Sequence, residues 1–277
     1  MKCAWKELLA ILPPWLAREV DTPERDSLQE LRLRLGKPPE LVKQGGSRWL
    51  CRMVSKDDLN VVINTASRYS PWAAQTISEG FLTAPGGHRI GICGDVVIKN
   101  GSISGIREVQ MLCIRVARDF PGIGAKADEL SGSILALGPP GSGKTTLLRD
   151  LVRRISERET VAVVDERGEL FPAESCFENG KSLDVLRGCP KPEGIDMVLR
   201  TMGPSCIAVD EITAERDCEA LVRAGWCGVR LLATAHAASI QDLRSRPVYQ
   251  SLTEKKLFDH VLVLSRDKSW HAERMDL

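Results

Sequence analysis

Nine consecutive residues, Gly138-Pro139-Pro140-Gly141-Ser142-Gly143-Lys144-Thr145-Thr146, carry the densest chemical signal in the 277-residue chain. They match Gly, four residues, Gly-Lys-Ser/Thr at every fixed position, the spacing of a phosphate-binding loop. Glycines there permit positive φ, so backbone N–H groups can close around phosphate oxygens. The helix starting near Lys144 points the positive end of its dipole at the same anion. Lys144 is then placed to reach the β/γ-phosphates of a nucleotide such as ATP, and the Thr145 hydroxyl to sit on Mg2+. A second signal is the acidic pair Asp210-Glu211, directly after the apolar run Cys206-Ile207-Ala208-Val209. Hydrolysis of a Mg2+-nucleotide needs one carboxylate for the metal and another group for the attacking water; Asp210 and Glu211 are the candidates. His236 follows the apolar run Leu231-Leu232-Ala233-Thr234, where it can sense the γ-phosphate or relay its loss, and Thr234 can donate a hydrogen bond at the same place. Arg200 lies late in a helical stretch aimed at the Asp210 strand. It either neutralises transition-state charge or is a plain C-terminal helix cation.

These side chains need a scaffold that brings distant segments together. Residues 133–137, 160–164, 206–209, 231–234 and 261–264 are short apolar runs bounded by turn signals, and Leu147, Leu148, Leu151, Val152 and Ile155 have helical spacing. Alternation of such runs with helices predicts a mostly parallel sheet, with the ligand off the carboxyl ends of its strands. The first part of the chain reads differently. Helices are expected over 5–12 and 15–20, hinged at Pro13-Pro14, then a strand from Leu31 with Arg32 and Arg34 on its solvated face. A hairpin signal at Gly45-Gly46 precedes a helix capped by Ser55 and running to about Arg68. Phe81 to Val109, with a turn at Asn100-Gly101, predicts antiparallel hairpins of a small mixed sheet, and 112–116 one more strand. His88 has no partner at metal-ligand spacing, so a surface or hydrogen-bonded polar role is expected of it. Pro121-Gly122-Ile123-Gly124 reads as a linker, giving an α+β domain over 1–125 and a phosphate-loop domain over 126–277.

Composition narrows the function class. Hydrophobic residues make up 43% and charged residues 27%, as in a chain able to bury a core. The net charge of +1, and no interleaved aromatic and basic tract, argue against a nucleic-acid partner. Nine scattered cysteines, never spaced Cys-x-x-Cys, fit neither a disulfide framework nor a zinc ribbon and suggest a reducing cytoplasm. No window approaches 18 apolar residues, so no membrane span is expected.

The order of Leu28-Gln29-Glu30-Leu31-Arg32-Leu33-Arg34, Gly86 through Gly94, the phosphate loop, Val164-Asp165-Glu166-Arg167, Gly188-Cys189-Pro190-Lys191, Arg200 through Ile212 and Ala233-Thr234-Ala235-His236 resembles the stage III sporulation protein AA ATPases. That family is itself similar to the ring ATPases of type II and type IV secretion. The resemblance implies a RecA-like P-loop NTPase domain behind a smaller α+β domain, with ATP and Mg2+ as ligands. It further implies a homo-oligomer, a hexamer in that family's pattern, in the cytoplasm. Such a ring sits at the mother-cell face of a membrane and acts with channel proteins of the sporulation complex. In motors of this type a neighbouring subunit, or the chain's own first domain, supplies positive charge to close the site; Arg89 and Arg115 are the candidates. Two readings of other classes compete: a nucleic-acid-stimulated ATPase, and a nucleotide-gated scaffold without turnover.

Overall fold

Prolines and alternating leucines organise the start of the chain. In the computed structural model, which describes residues 1–43, 45–68, 77–78, 80–99, 101–173 and 175–275, Pro14 opens helix α2 (Pro14–Val20) directly after α1 (Trp5–Ala10). The chain divides into two compact units: Met1–Asp119 with Pro172–Cys176, and Phe120–Phe171 with Phe177–Leu277.

The first unit holds strands β1 (Leu28–Arg34), β2 (Glu40–Lys43), β3 (Gly46–Trp49), β4 (Phe81–Thr83), β5 (Arg89–Lys99) and β6 (Ser102–Arg115), with α3 (Lys56–Ser67) after β3. Their order is β3-β2-β1-β6-β5-β4. Every pairing is antiparallel, which corrects the expected mixed sheet. Short connections reverse the chain within β1-β2-β3 and β4-β5-β6, and a parallel pair would need a crossover of about a dozen residues or more. Of the turn expected at Asn100-Gly101, Asn100 lies outside the described residues. Leu28, Leu31 and Leu33 are buried, while Arg32 and Arg34 on the other face pair with Glu30 and Glu40. Helix α3 starts with a capping box: Ser55 Oγ accepts from the Asp58 N–H, and Asp58 Oδ2 accepts from the Ser55 N–H.

His88 is fully buried in this unit. Its Nε2–H donates to the Ala4 carbonyl at 2.9 Å, and its Nδ1 accepts the Ala117 N–H at 3.1 Å. Both nitrogens are used by a neutral ring, and burial pushes the imidazole pKa below its ordinary value. A histidine lowered on folding contributes stability that is complete above its unfolded pKa of about 6.5 and is lost as pH falls toward the folded value. The melting temperature is therefore expected to fall on acidification from about pH 7.5 to about pH 5.5. Calorimetry should show a smaller fall for His88→Gln, whose amide can serve the same two partners; an equal fall would place the acid sensitivity elsewhere.

In the second unit the strands are β7 (Ile134–Leu137), β8 (Val161–Asp165), β9 (Leu183–Arg187), β10 (Cys206–Ile212), β11 (Arg230–Ala235), β12 (His260–Leu264) and β13 (Trp270–Arg274). Helices α4 (Lys144–Ile155), α5 (Lys191–Thr201), α6 (Glu215–Trp226), α7 (Ile240–Ser245) and α8 (Gln250–Glu254) intervene. The order is β13-β12-β7-β11-β10-β8-β9, parallel from β12 to β9, with β13 antiparallel at one edge. Both faces of the sheet are covered, so β7 and β8 are apolar and buried throughout rather than alternating. Leu135, Leu137 and Ile207 pack on one side with Ile195 and Leu221, and Ile134 and Ala136 on the other with Leu147 and Leu148 of α4. β11 lies between the strand that precedes the phosphate loop and the strand that carries Asp210 and Glu211.

Candidate active site

Helix α4 begins at Lys144, and the loop before it reverses direction through Gly141 (φ 76°) and Gly143 (φ 96°), a left-handed conformation that suits glycine. At Gly138 a Cβ would lie 2.6 Å from Ser142 Oγ and 2.8 Å from the Leu264 carbonyl, so only glycine lets the strand exit pass. Ser142 is buried, and its hydroxyl has no hydrogen-bond partner, an unsatisfied donor of the kind an anionic oxygen satisfies. Lys144 is only 6% exposed. Its ammonium donates to the carbonyls of Gly138 (2.8 Å) and Pro139 (3.0 Å) and lies 3.2 Å from His236 Nδ1. Burial pushes its pKa down, against the pull of Asp210 and Glu211. Pro140 is exposed at the loop tip and Thr146 lies in the first turn of α4.

The metal candidates meet directly. Thr145 Oγ1 donates to Asp210 Oδ2 at 2.7 Å, and Thr234 Oγ1 donates to Asp210 Oδ1 at 2.6 Å. Burial raises the Asp210 carboxyl, and the two hydroxyls oppose that rise. A hydroxyl and a carboxylate, both hard oxygen donors, are a fitting partial ligand set for Mg2+ that keeps water and phosphate oxygens on its other positions.

Glu211 adopts φ 54°, a region sparsely used by non-glycine residues, at a point where the β10–β11 register shifts between Val209 and Ile212. The bulge turns its side chain away from the alternation of the strand. Its N–H donates to Thr234 Oγ1 at 2.8 Å, its Oε1 accepts from His236 Nε2 at 2.8 Å, and its Oε2 accepts from Arg167 at 2.8 Å. Burial works to raise the Glu211 carboxyl, but the His236 hydrogen bond and the Arg167 charge outweigh it and hold the group below its ordinary value. Lysine can only donate, so His236 Nδ1 must accept from Lys144, and the ring proton then sits on Nε2 facing Glu211. Lys144, His236, Glu211 and Arg167 thus form one chain of contacts across the carboxyl ends of four adjacent strands, β7, β11, β10 and β8.

The fold brings together Lys144, Thr145, Asp210, Glu211, His236 and Thr234, the six residues that the sequence marks for this chemistry. Arg167 joins them without being marked, and its signal in the sequence is its place after Asp165-Glu166 at the tip of β8. Asp165 shapes that loop by accepting the N–H groups of Glu169 and Phe171, both at 2.9 Å. Arg149 of α4 donates to the carbonyls of Glu169 and Leu170 and stacks over Phe177 at 4.1 Å. Arg200 stands outside this network: it is exposed in the last turn of α5 and donates to the Asp196 carbonyl of its own helix at 3.0 Å. In the first unit, Arg89 and Arg115 are direct cross-strand partners. Arg89 stacks over Phe81 at 4.9 Å, and the exposed Arg115 lies 3.7 Å from Glu30.

Compared with known proteins, the chain matches the family described as sporulation stage III, protein AA, over residues 6–272. It is 35% identical over 286 residues to the stage III sporulation protein AA of Bacillus subtilis, covering 95% of this chain and 91% of that one. Protein SEEDLING PLASTID DEVELOPMENT 1 of Arabidopsis thaliana is 27% identical over 256 residues, which is 88% of this chain and 35% of that protein. Two solved structures share the fold. The ATPase DotB of Legionella pneumophila has a TM-score of 0.59 at 18% identity, covering 95% of this chain and 80% of that one. The pilus retraction motor PilT with bound ADP has a TM-score of 0.64 at 17% identity, covering 98% and 84%.

Proposed function

The chain belongs to the sporulation stage III, protein AA family, and from that premise we propose that it is a Mg2+-dependent ATPase acting as a ring motor in endospore formation. The observation that carries the reading is the convergence at one end of the parallel sheet of a phosphate loop, the Thr145–Asp210 pair and a Glu211 held by Arg167 and His236. The phosphate loop from Gly138 to Thr146 holds the nucleotide phosphates through its backbone N–H groups and Lys144. Thr145 and Asp210 hold Mg2+, which when bound neutralises charge developing on the phosphate oxygens. Glu211, kept ionised, orients and deprotonates the attacking water. His236 loses its Lys144 partner when that ammonium turns to phosphate, so the imidazole can report the γ-phosphate to Glu211.

The relatives' names support the setting: by printed title, one is a stage III sporulation protein, one an ATPase and one a pilus retraction motor with bound ADP. We place the chain in the cytoplasm, as a homohexamer peripheral to a membrane and working with channel proteins of the sporulation complex; residues 1–125 serve docking and assembly. Among the described residues no helix is long and apolar enough to cross a membrane. Arg89 and Arg115, of a neighbouring subunit or of the chain's own first domain, are the candidates for the positive charge that closes the site, and guanidinium suits the task because its planar fork grips phosphate oxygens bidentately.

Arg89→Ala or Arg115→Ala is expected to lower ATP turnover at least about tenfold, near 1.4 kcal/mol in the barrier, while the melting temperature stays within a few degrees. Turnover measured beside thermal melting checks this. A variant that melts and hydrolyses normally removes that arginine from the site. Single-stranded DNA or RNA added to the same assay is expected to leave turnover unchanged.

A further inference from the structure

The segment Gly188-Cys189-Pro190-Lys191 contains a lysine with no place in the chemistry above. Lys191 is the first residue of α5 and is only 7% exposed. Its ammonium donates to Glu166 Oε2 at 2.5 Å and lies 3.9 Å from Asp217 Oδ2. A charge at that depth is costly unless paired, and this one is shared by carboxylates from two different elements, the turn after β8 and the first turn of α6. Glu166 stands at the tip of β8, next to the Arg167 that grips Glu211. Asp217, in the first turn of α6, accepts the N–H groups of Thr213 (3.0 Å) and Ala214 (3.2 Å), the backbone leaving β10 just past Glu211.

Glu211 needs such support. A non-glycine residue at φ 54° persists only where its surroundings over-determine it. The Thr234 hydroxyl fixes its N–H side. On its other side the backbone is fixed by Asp217, and the cation facing Asp217 is Lys191. We infer that Lys191 is a positioning residue: it ties the β8 loop to the β10 exit, so that Glu211 is held in its left-handed turn against Arg167 and His236. It touches neither nucleotide nor water in this role. Its kinetic consequence rests on the ATPase reading, whereas its structural consequence does not.

Lys191→Met keeps the stem length and removes the charge; Lys191→Arg keeps the charge. Two readouts on the full chain test the brace: amide hydrogen exchange over residues 211–217 without nucleotide, and kcat with KM for MgATP. Lys191→Met is expected to speed exchange in that segment and to lower kcat about tenfold or more with KM little changed, since a small misplacement of a reacting group is costly. Lys191→Arg should restore much of both. Glu166→Gln should act in the same direction, and combining it with Lys191→Met should add little, as expected for one coupled unit. The inference is overturned if Lys191→Met leaves exchange over 211–217 at the wild-type level. It is also overturned if Met and Arg depress kcat equally, or if kcat, KM and melting collapse together in Lys191→Met while Glu166→Gln is silent. If the wild-type chain releases no phosphate, the ATPase reading fails, and the exchange experiment still decides the brace.

Discussion

Lys144→Ala is expected to abolish ATP binding at concentrations that saturate the wild type. Removing the cation proposed to reach the phosphates would leave a charged, largely desolvated group unpaired, a loss of about 3 kcal/mol or more, or a factor on the order of 10² in affinity. The fold should survive the change. In the structure the ammonium contacts two loop carbonyls and His236, and its burial disfavours the charged form, so its removal relieves a desolvation cost. Titration calorimetry with MgATP, next to a melting curve, separates the outcomes. Wild-type affinity in Lys144→Ala would remove the loop from nucleotide recognition, and a collapsed melting curve would make the residue structural.

Glu211→Gln is expected to do the opposite: keep ATP bound and stop its turnover. The carboxylate accepts from His236 and Arg167, both donors. Glutamine offers one carbonyl oxygen to that pair and turns its NH2 group against the other, so geometry suffers slightly while the base is lost. Losing a general base costs on the order of 10²–10⁴ in rate. The nucleotide dissociation constant should change by less than about threefold, because in the proposed mechanism Glu211 acts on water and not on ground-state phosphate. A variant with wild-type kcat would assign the water to another group, and a variant that no longer binds ATP would make Glu211 part of ground-state recognition.

The phosphate loop could be read from sequence because its chemistry is local: the glycines, Lys144 and Thr145 lie within eight positions, and strand, loop and helix are continuous around them. Asp210 and Glu211 could be read because an apolar run ending in two carboxylates is itself a contiguous pattern. What joins them was not readable. Arg167 and Glu211 are 44 positions apart, and they meet only because β8 and β10 are neighbours, a pairing that no local pattern encodes. Strand order also gives Thr234 its double role, since β11 sits between β7 and β10 and its tip faces both sides. The left-handed turn at Glu211 has no glycine or asparagine to announce it. Strands β9 and β13 were missed because they are sheet edges, where partly exposed, polar residues replace a continuous apolar run. Arg200 lies near a strand start in the sequence, and in the fold its guanidinium is out in solvent, on its own helix.

Phosphate release by the purified full chain at saturating MgATP, measured beside Glu211→Gln under the same conditions, tests the central claim most directly. The wild type should turn over at a rate on the order of 10² or more above the variant, with both proteins binding the nucleotide. A wild-type chain that binds MgATP and releases phosphate no faster than Glu211→Gln would contradict the assignment of this site as a hydrolytic one.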